Sequence, residues 1–393
     1  MAEERKIVTQ TPENSETPLD AVCSWVTPTK LFFVRNHFDV PTIDPKSWSL
    51  TIEGCVDQPK TLKLRDLEAM PQQTVFVTLE CAGNGRSYLS TPVHGVQWGA
   101  GAVAHAEWTG VPLAKVFEGL ELTPDALEVV FEGADNGIEG KLTEPIHFVR
   151  SLPIEKAMHP DTILALRMNG EPLTPDHGFP VRLLVPGWYG VASVKWVQRI
   201  EVVNKPFEGY YQTYKYTIGK QTPEGIANVG VQGMTVKSEI IRPREDEAIG
   251  IGSQRIFGMA WAGEHAVAKV EISTDGGETW GEARLVGLQA PYSWTMWEYF
   301  WEVATAGQYE ILSRATSTNG DTQPLEHDRL RAGYMINFLR SRRVVVESRT
   351  VDQAKRQQYS ETEALLYDFY AFSEANAAMT LDVDMELMDG AGI

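Results

Sequence analysis

Between Lys46 and about Val203 the apolar positions come in short strand-like runs, Trp48-Ser-Leu-Thr-Ile-Glu53, Val75-Phe-Val-Thr-Leu79 and Val181-Arg-Leu-Leu-Val185. Short helical stretches such as Leu113 to Gly119 are interleaved with them, and this mixture predicts an α+β domain. From about Asn228 the texture changes to alternating strands, including Ala268-Lys-Val-Glu-Ile-Ser-Thr274 and Tyr309-Glu-Ile-Leu-Ser-Arg-Ala315, with a hairpin signal at Asp275-Gly-Gly277. Regularly spaced short strands over about 120 residues predict an immunoglobulin-like β-sandwich. The tyrosine-, glycine- and lysine-rich strip from Phe207 to Gly225 is the expected connection. The expected limits are therefore 1–225 for the first domain, 226–347 for the second, and 348–393 for a C-terminal extension.

That extension stands apart by charge. Arg356 is the last basic residue, and Glu361, Glu363, Asp368, Glu374, Asp382, Asp384, Glu386 and Asp389 follow it. A helix around Thr362 to Phe372 and then a solvated acidic tail are expected. Over the whole chain, 35 Lys and Arg oppose 53 Asp and Glu, a formal charge of −18 that disfavours nucleic acid and anionic lipid as partners. Apolar stretches such as Leu31 to Val34 and Ile163 to Leu166 fall far short of the roughly 20 residues of a membrane span, so no membrane partner is expected. Met1-Ala-Glu-Glu-Arg-Lys6 has no apolar run of a secretory signal behind it. As it stands the sequence reads as cytoplasmic, with the periplasm left open to a processed form.

Cys23, Cys55 and Cys81 are too few and too widely spaced for a disulfide framework or paired-thiol zinc site. The sharpest local feature is Glu80-Cys-Ala-Gly-Asn-Gly-Arg86, a cysteine closing an apolar strand with an arginine five residues on. A guanidinium nearby favours the thiolate, which suits a nucleophile or a soft metal ligand. Read alone, this leaves open a structural cysteine, or acyl transfer with His94, His105 or His177 as base. Loops at Ala82–Gly85, Gly99–Gly101, Ala134–Gly137 and Asp176–Pro180 add backbone N–H groups able to cradle an anionic cofactor. His147, His159, His265 and His327 are scattered, without ligand spacing, and read as surface or packing residues.

Six ordered segments change the odds: Thr27 to Phe38, Glu80 to Arg86, Trp108 to Leu113, Met168 to Leu173, Asp176 to Arg182 and Ser193 to Trp196. Together they resemble the sulfite oxidase family of molybdenum enzymes, across roughly Pro12 to Val346. The resemblance implies a molybdopterin-binding catalytic domain followed by an immunoglobulin-like dimerisation domain, hence a homodimer. It implies a molybdenum–molybdopterin cofactor with Cys81 as the single protein thiolate on the metal. Phe33, Arg35, Asn36 and His37, then Asp135, His177, Arg182, Ser193, Val194 and Lys195, would hold the pterin and its phosphate. Arg35 and Arg86 would face a small oxyanion substrate, and Tyr216, or Tyr214 in a gapped register, would stand beside the metal. The expected reaction is oxidation of sulfite to sulfate, with electrons passing to a separate acceptor, a cytochrome or oxygen. No Cys-x-x-Cys-His for covalent haem and no convincing nucleotide fingerprint occurs.

Two positions depart from the animal enzymes. His94 stands where they carry a lysine, and Thr295 where they carry an arginine in a Trp-Arg-x-Trp run. His94 is expected to act as a titrating replacement for that lysine in the substrate pocket. The departures keep open another oxyanion, a sulfoxide or a sulfur species as substrate, and a metal-free binding protein on the same scaffold remains the alternative from another class.

Overall fold

A computed structural model describes residues 4–22 and 24–348. Cys23, the expected helix at Thr362–Phe372 and the acidic stretch around it lie outside the described residues. Cys55 and Cys81 are both free thiols.

The first part of the chain is built on two five-stranded sheets. One runs in the order Lys60–Lys63, Ser49–Gly54, Val197–Val203, Glu128–Gly137, Ile146–Pro153. The other runs Glu171–Pro172, Ile163–Met168, Val103–Pro112, Gln73–Glu80, with Arg182–Leu184 also paired to Ile163–Met168. Among the described residues of this part, α-helix is confined to short turns at Leu64–Glu68, Leu113–Val116 and Ile154–Ala157, with a few 3-10 turns besides. Leu50 and Ile52 of the first sheet meet Val111, Leu164 and Leu183 of the second in one core, all fully buried. Each such side chain contributes about 1.5–3 kcal/mol by leaving water.

Strand Gln73–Glu80 decides the geometry of the site. Its two-residue period sends Val77, Leu79 and then Cys81 into a second core with Phe32, Phe33 and Trp98. Thr78 and Glu80 point the other way, toward the second domain, where Thr78 Oγ1 accepts from the Trp294 backbone N–H at 2.7 Å.

The expected connection folds as a single π-helical turn at Tyr210–Tyr214 and a hairpin, Thr217–Thr222 with Gly225–Gly230. Beyond it, a four-stranded sheet (Lys237–Arg242, Gly252–Trp261, Thr295–Val303, Arg284–Val286) faces a five-stranded one (Glu247–Gly250, Arg342–Glu347, Gly307–Ser317, Val267–Ser273, Gly281–Glu282). Ile256, Val270, Ile272, Trp297, Ile311 and Val344 fill the space between them. Asp275-Gly-Gly277 lies in the turn between two of these strands, as its composition predicts. Trp25 and Trp294 tie the domains reciprocally, each indole N–H donating to the other's carbonyl, at 3.2 and 2.8 Å.

His105 belongs to this seam. It is fully buried against Trp25, shares a 3.1 Å hydrogen bond with Thr78 Oγ1, and burial drives its pKa down to about 3. The unfolded chain takes up a proton near pH 6.5 that the folded chain refuses until about pH 3, so stability falls on acidification through that window. We expect His105→Gln to flatten the acid limb by about 1.4 kcal/mol per pH unit between pH 6 and 4, read from denaturant unfolding at several pH values. An unchanged slope would mean that His105 is not held neutral.

Candidate active site

One cavity gathers most of the expected residues, and each wall has a local cause. Val34–Arg35 pairs with Glu13–Glu16, placing Asn14 opposite Arg35. Asn14 Oδ1 accepts from Arg35 Nη1 at 3.2 Å and from the Asn36 N–H at 3.0 Å, which fixes the Phe33–His37 segment. Phe33 stacks on Phe32, with ring centroids 5.2 Å apart, and both rings line the cavity. A register irregularity between Glu132 and Asn136 swings Asp135 inward, the usual effect of a bulge.

The opposite wall comes from Pro175–His177, Arg182 and Ser193–Lys195. Gly178, at φ +104°, lies where a Cβ would come within 2.9 Å of Arg182 Cβ and 3.1 Å of Lys195 Cβ, so glycine lets the two cationic stems converge. Lys195 Nζ donates to Asn36 Oδ1 and, at 2.8 Å, to the Asp176 carbonyl. Arg182 donates to the His177 and Ser193 carbonyls at 3.2 and 3.3 Å and lies over the Trp108 ring. His177 Nε2 is 3.2 Å from the Thr29 carbonyl.

Cys81, Arg35, His37 and Tyr216 also line the cavity, with Arg35 close enough to feel both Tyr216 and Cys81. His37 Nε2 is 2.7 Å and Arg35 Nη2 3.5 Å from Tyr216 Oη. Tyr216 has φ +56°, a conformation costly for a tyrosine and held here by its surroundings, including a 3.3 Å bond from its N–H to Tyr334 Oη of the second domain. Of the two tyrosines the sequence left open, Tyr216 therefore lines the cavity, while Tyr214 is exposed and packs on Tyr210.

The electrostatics divide into two regions. Around Arg35, burial opposes the charge but Tyr216 and Cys81 outweigh it, and the guanidinium is held above its ordinary pKa. Burial, with Arg35 and Lys195 nearby, holds His37 neutral, well below the ordinary histidine range, and burial raises Tyr216 to about 12. Around Arg182, burial lowers that guanidinium to about 9 and His177 to about 3, and burial with Arg182 pushes Lys195 well down. Asp135 is raised to about 6 by burial, against the pull of Lys195. Burial is the leading cause of the lowered Arg182 and Lys195, and a bound phosphate would favour their charged forms.

The polar atoms test the same fit. Arg182 Nε, Asn36 Nδ2 and Asp135 Oδ1 are buried without a hydrogen-bond partner in the protein, although buried polar groups are nearly always paired. Two unspent donors and one acceptor beside the cations match a polar, phosphate-bearing ring system. Among the described residues no group of three or more His, Cys, Asp or Glu side chains is placed to hold a metal. A metal here would take Cys81 from the protein and its remaining ligands from the cofactor.

Val194, His94 and Arg86, expected at the site, are not among the residues lining the cavity, and neither is Thr295. Val194 is a core residue whose N–H and carbonyl are spent on Ala192 and Leu183, leaving it nothing to offer a cofactor. His94 is exposed and is not among the residues lining the cavity, so the structure gives it no contact with the expected substrate position. Thr295 is buried, and alternation puts it on the sandwich face of Trp297 rather than with Trp294 and Met296, which pack on the first domain. Arg86 is held by backbone carbonyls: Nε and Nη2 donate to the Gly333 carbonyl at 3.1 and 2.8 Å, and Nη1 to the Val96 carbonyl at 2.8 Å. Its charge is felt at Tyr216, and three of its five N–H groups are engaged by these carbonyls. We accordingly expect His94→Ala to leave cofactor content and KM unchanged in steady-state kinetics; a raised KM for an anionic substrate would return His94 to the site.

The sequence left Tyr334, Asn14 and Phe148 unmarked. Phe148 stacks on His37 at 4.6 Å, and Tyr334 lies between Arg86 and Tyr216. Tyr334 approaches from a separate domain, so no local pattern announces it.

Comparison with known proteins agrees with this arrangement. The oxidoreductase molybdopterin-binding domain family matches residues 37–211, and the Mo-co oxidoreductase dimerisation domain family residues 229–347. Mitochondrial sulfite oxidase of Homo sapiens is 36% identical over 341 residues, covering 81% of this chain and 61% of that protein. Sulfite oxidase of Arabidopsis thaliana is 32% identical over 81% of this chain and 88% of its own. The crystal structure of the sulfane dehydrogenase SoxCD from Paracoccus pantotrophus superposes with a TM-score of 0.76 at 30% identity, over 88% of this chain and 91% of that one. With both domains matched in order and a cavity suited to the cofactor they share, this chain belongs to the sulfite oxidase family of molybdopterin oxidoreductases.

Proposed function

We propose that the protein oxidises sulfite to sulfate and delivers the electrons to a separate acceptor, a cytochrome or oxygen. The observation that carries this reading is the convergence of Arg35, His37 and Tyr216 on the cavity that holds Cys81. Sulfite and water give sulfate, two protons and two electrons. Bound molybdenum–molybdopterin would supply the oxygen-atom transfer and accept the electron pair, with Cys81 as thiolate and Arg182, Lys195, His177 and Asp135 holding the pterin and its phosphate.

The chain's own residues bind and orient the substrate. Arg35 keeps a permanent positive charge in the cavity beside Cys81 and pairs with the anion's oxygens through a planar fork. Tyr216 keeps its proton at working pH and can donate it in a hydrogen bond, while neutral His37 holds the hydroxyl in place through Nε2. The surrounding aromatic wall of Phe33, Phe148 and Trp196 limits water and strengthens these contacts.

A second reading, a sulfane sulfur substrate, is favoured by the likeness to SoxCD and by the absence of additional cations from His94 and Thr295. Anaerobic reduction of the loaded protein separates them: rapid reduction by sulfite supports the first reading, and reduction only by a sulfane-bearing compound supports the second. The second domain is expected to form a two-fold dimer. Sedimentation at micromolar concentration should give a dimer mass, and a monomer would contradict it.

A further inference from the structure

The end of strand Gln73–Glu80 presents Cys81 to the cavity and Glu80 to the second domain, and the Glu80 carboxylate accepts three hydrogen bonds. Oε1 accepts from Lys237 Nζ and from Asn84 Nδ2, both at 3.0 Å, and Oε2 accepts from Trp261 Nε1 at 2.9 Å. Lys237 and Trp261 belong to the sandwich, whereas Asn84 belongs to the Cys81 loop. The side chains of the ion pair are only 2% and 5% exposed for Glu80 and Lys237. A buried ion pair adds little stability over apolar residues of the same shape, so its presence beside the cysteine calls for another role.

The bonds of the loop suggest that role. Asn84 N–H donates to the Cys81 carbonyl at 2.8 Å, Asn84 Oδ1 accepts from the Ala102 N–H at 3.0 Å, and the Cys81 N–H donates to the Ala102 carbonyl at 2.9 Å. Asn84 thus links the carboxylate directly to the backbone that aims the Cys81 sulfur. The second domain also reaches the loop through the Met335 N–H, which donates to the Ala82 carbonyl at 2.7 Å. On its far side Lys237 lies 3.8 Å from Glu239, which is paired with Arg340 at 2.8 Å.

We propose that Glu80 and Lys237 form a positioning pair through which the second domain orients the Cys81 thiolate. The inference rests on Cys81 being the metal's protein ligand and not on the substrate: a loaded protein that ignores sulfite would fail the proposed function and leave this test intact.

The test uses full-length Glu80→Gln, Lys237→Met and the double variant, each loaded with cofactor. Each single change is expected to lower kcat about 10- to 100-fold, as for outer partners of metal ligands, with KM nearly unchanged. Each should also alter the paramagnetic resonance signal of the half-reduced metal, which reports the thiolate's orientation. Because the two residues act as one device, the double variant should lose no more than the worse single. Wild-type spectra in the loaded singles, or losses that multiply in the double, would overturn the proposal. Should the singles fail to load, the double decides, since removing both charges leaves neither one buried alone. A folded double variant with an altered signal or without bound metal supports the proposal; a wild-type signal overturns it, as does failure to fold, which would make the pair a requirement of the fold itself.

Discussion

Cys81→Ser in the full chain is expected to lose turnover by more than about a hundredfold, exceeding the roughly 10- to 100-fold cost of losing an outer partner of a ligand. A hydroxyl is a harder and weaker match to the metal than a thiolate. The fold should survive, because Cys81 holds its place through its backbone bonds to Ala102 and Asn84, which serine retains. The buried hydroxyl costs about 1–3 kcal/mol if it finds no partner. Calorimetry alongside turnover separates the effects: activity lost with the melting transition preserved is the expected result, and near-wild-type turnover in metal-loaded Cys81→Ser would remove Cys81 from the metal.

Arg35→Gln is expected to lower kcat/KM about 10²- to 10³-fold, the range seen when one oriented donor to a developing oxyanion is deleted. Much of the loss should fall on KM, since Arg35 lines the cavity with Cys81 and its pKa is held above its ordinary range. Arg35→Lys should recover part of the affinity, restoring the charge but not the planar fork. Equal KM values for Arg35→Gln and the unaltered protein would place the substrate elsewhere. Because Arg35 also belongs to the segment expected to hold the pterin, pterin content is measured alongside, and the comparison is made per loaded protein.

How far the sequence announced this architecture depends on the range of each interaction. The Val75–Leu79 alternation identifies a strand, and continuing its period by two residues puts Cys81 on the inward face, where the structure has it. Asp275-Gly-Gly277 marks a hairpin of the sandwich for the same reason: turn chemistry is local. His94 and Thr295 show the opposite case. A motif register identifies which residue occupies a position, but whether a loop side chain turns to solvent, or a strand residue faces one core or another, follows from packing between distant segments. Arg86 makes the point energetically, because three of its donors are engaged by the Gly333 and Val96 carbonyls, one of them from the other domain. Val194 sits between two true cavity residues, yet its alternation turns it into the core. Tyr334 and Lys237 had no local signal, since their roles exist only once the sandwich is docked.

The most direct measurement of the central claim is X-ray absorption at the molybdenum edge of the purified, loaded protein, compared with Cys81→Ser. The account predicts molybdenum bound with pterin, and one fewer sulfur neighbour at the metal in the variant. A metal whose sulfur count is the same in both proteins, or a protein that binds no molybdenum when produced with the cofactor available, would contradict it.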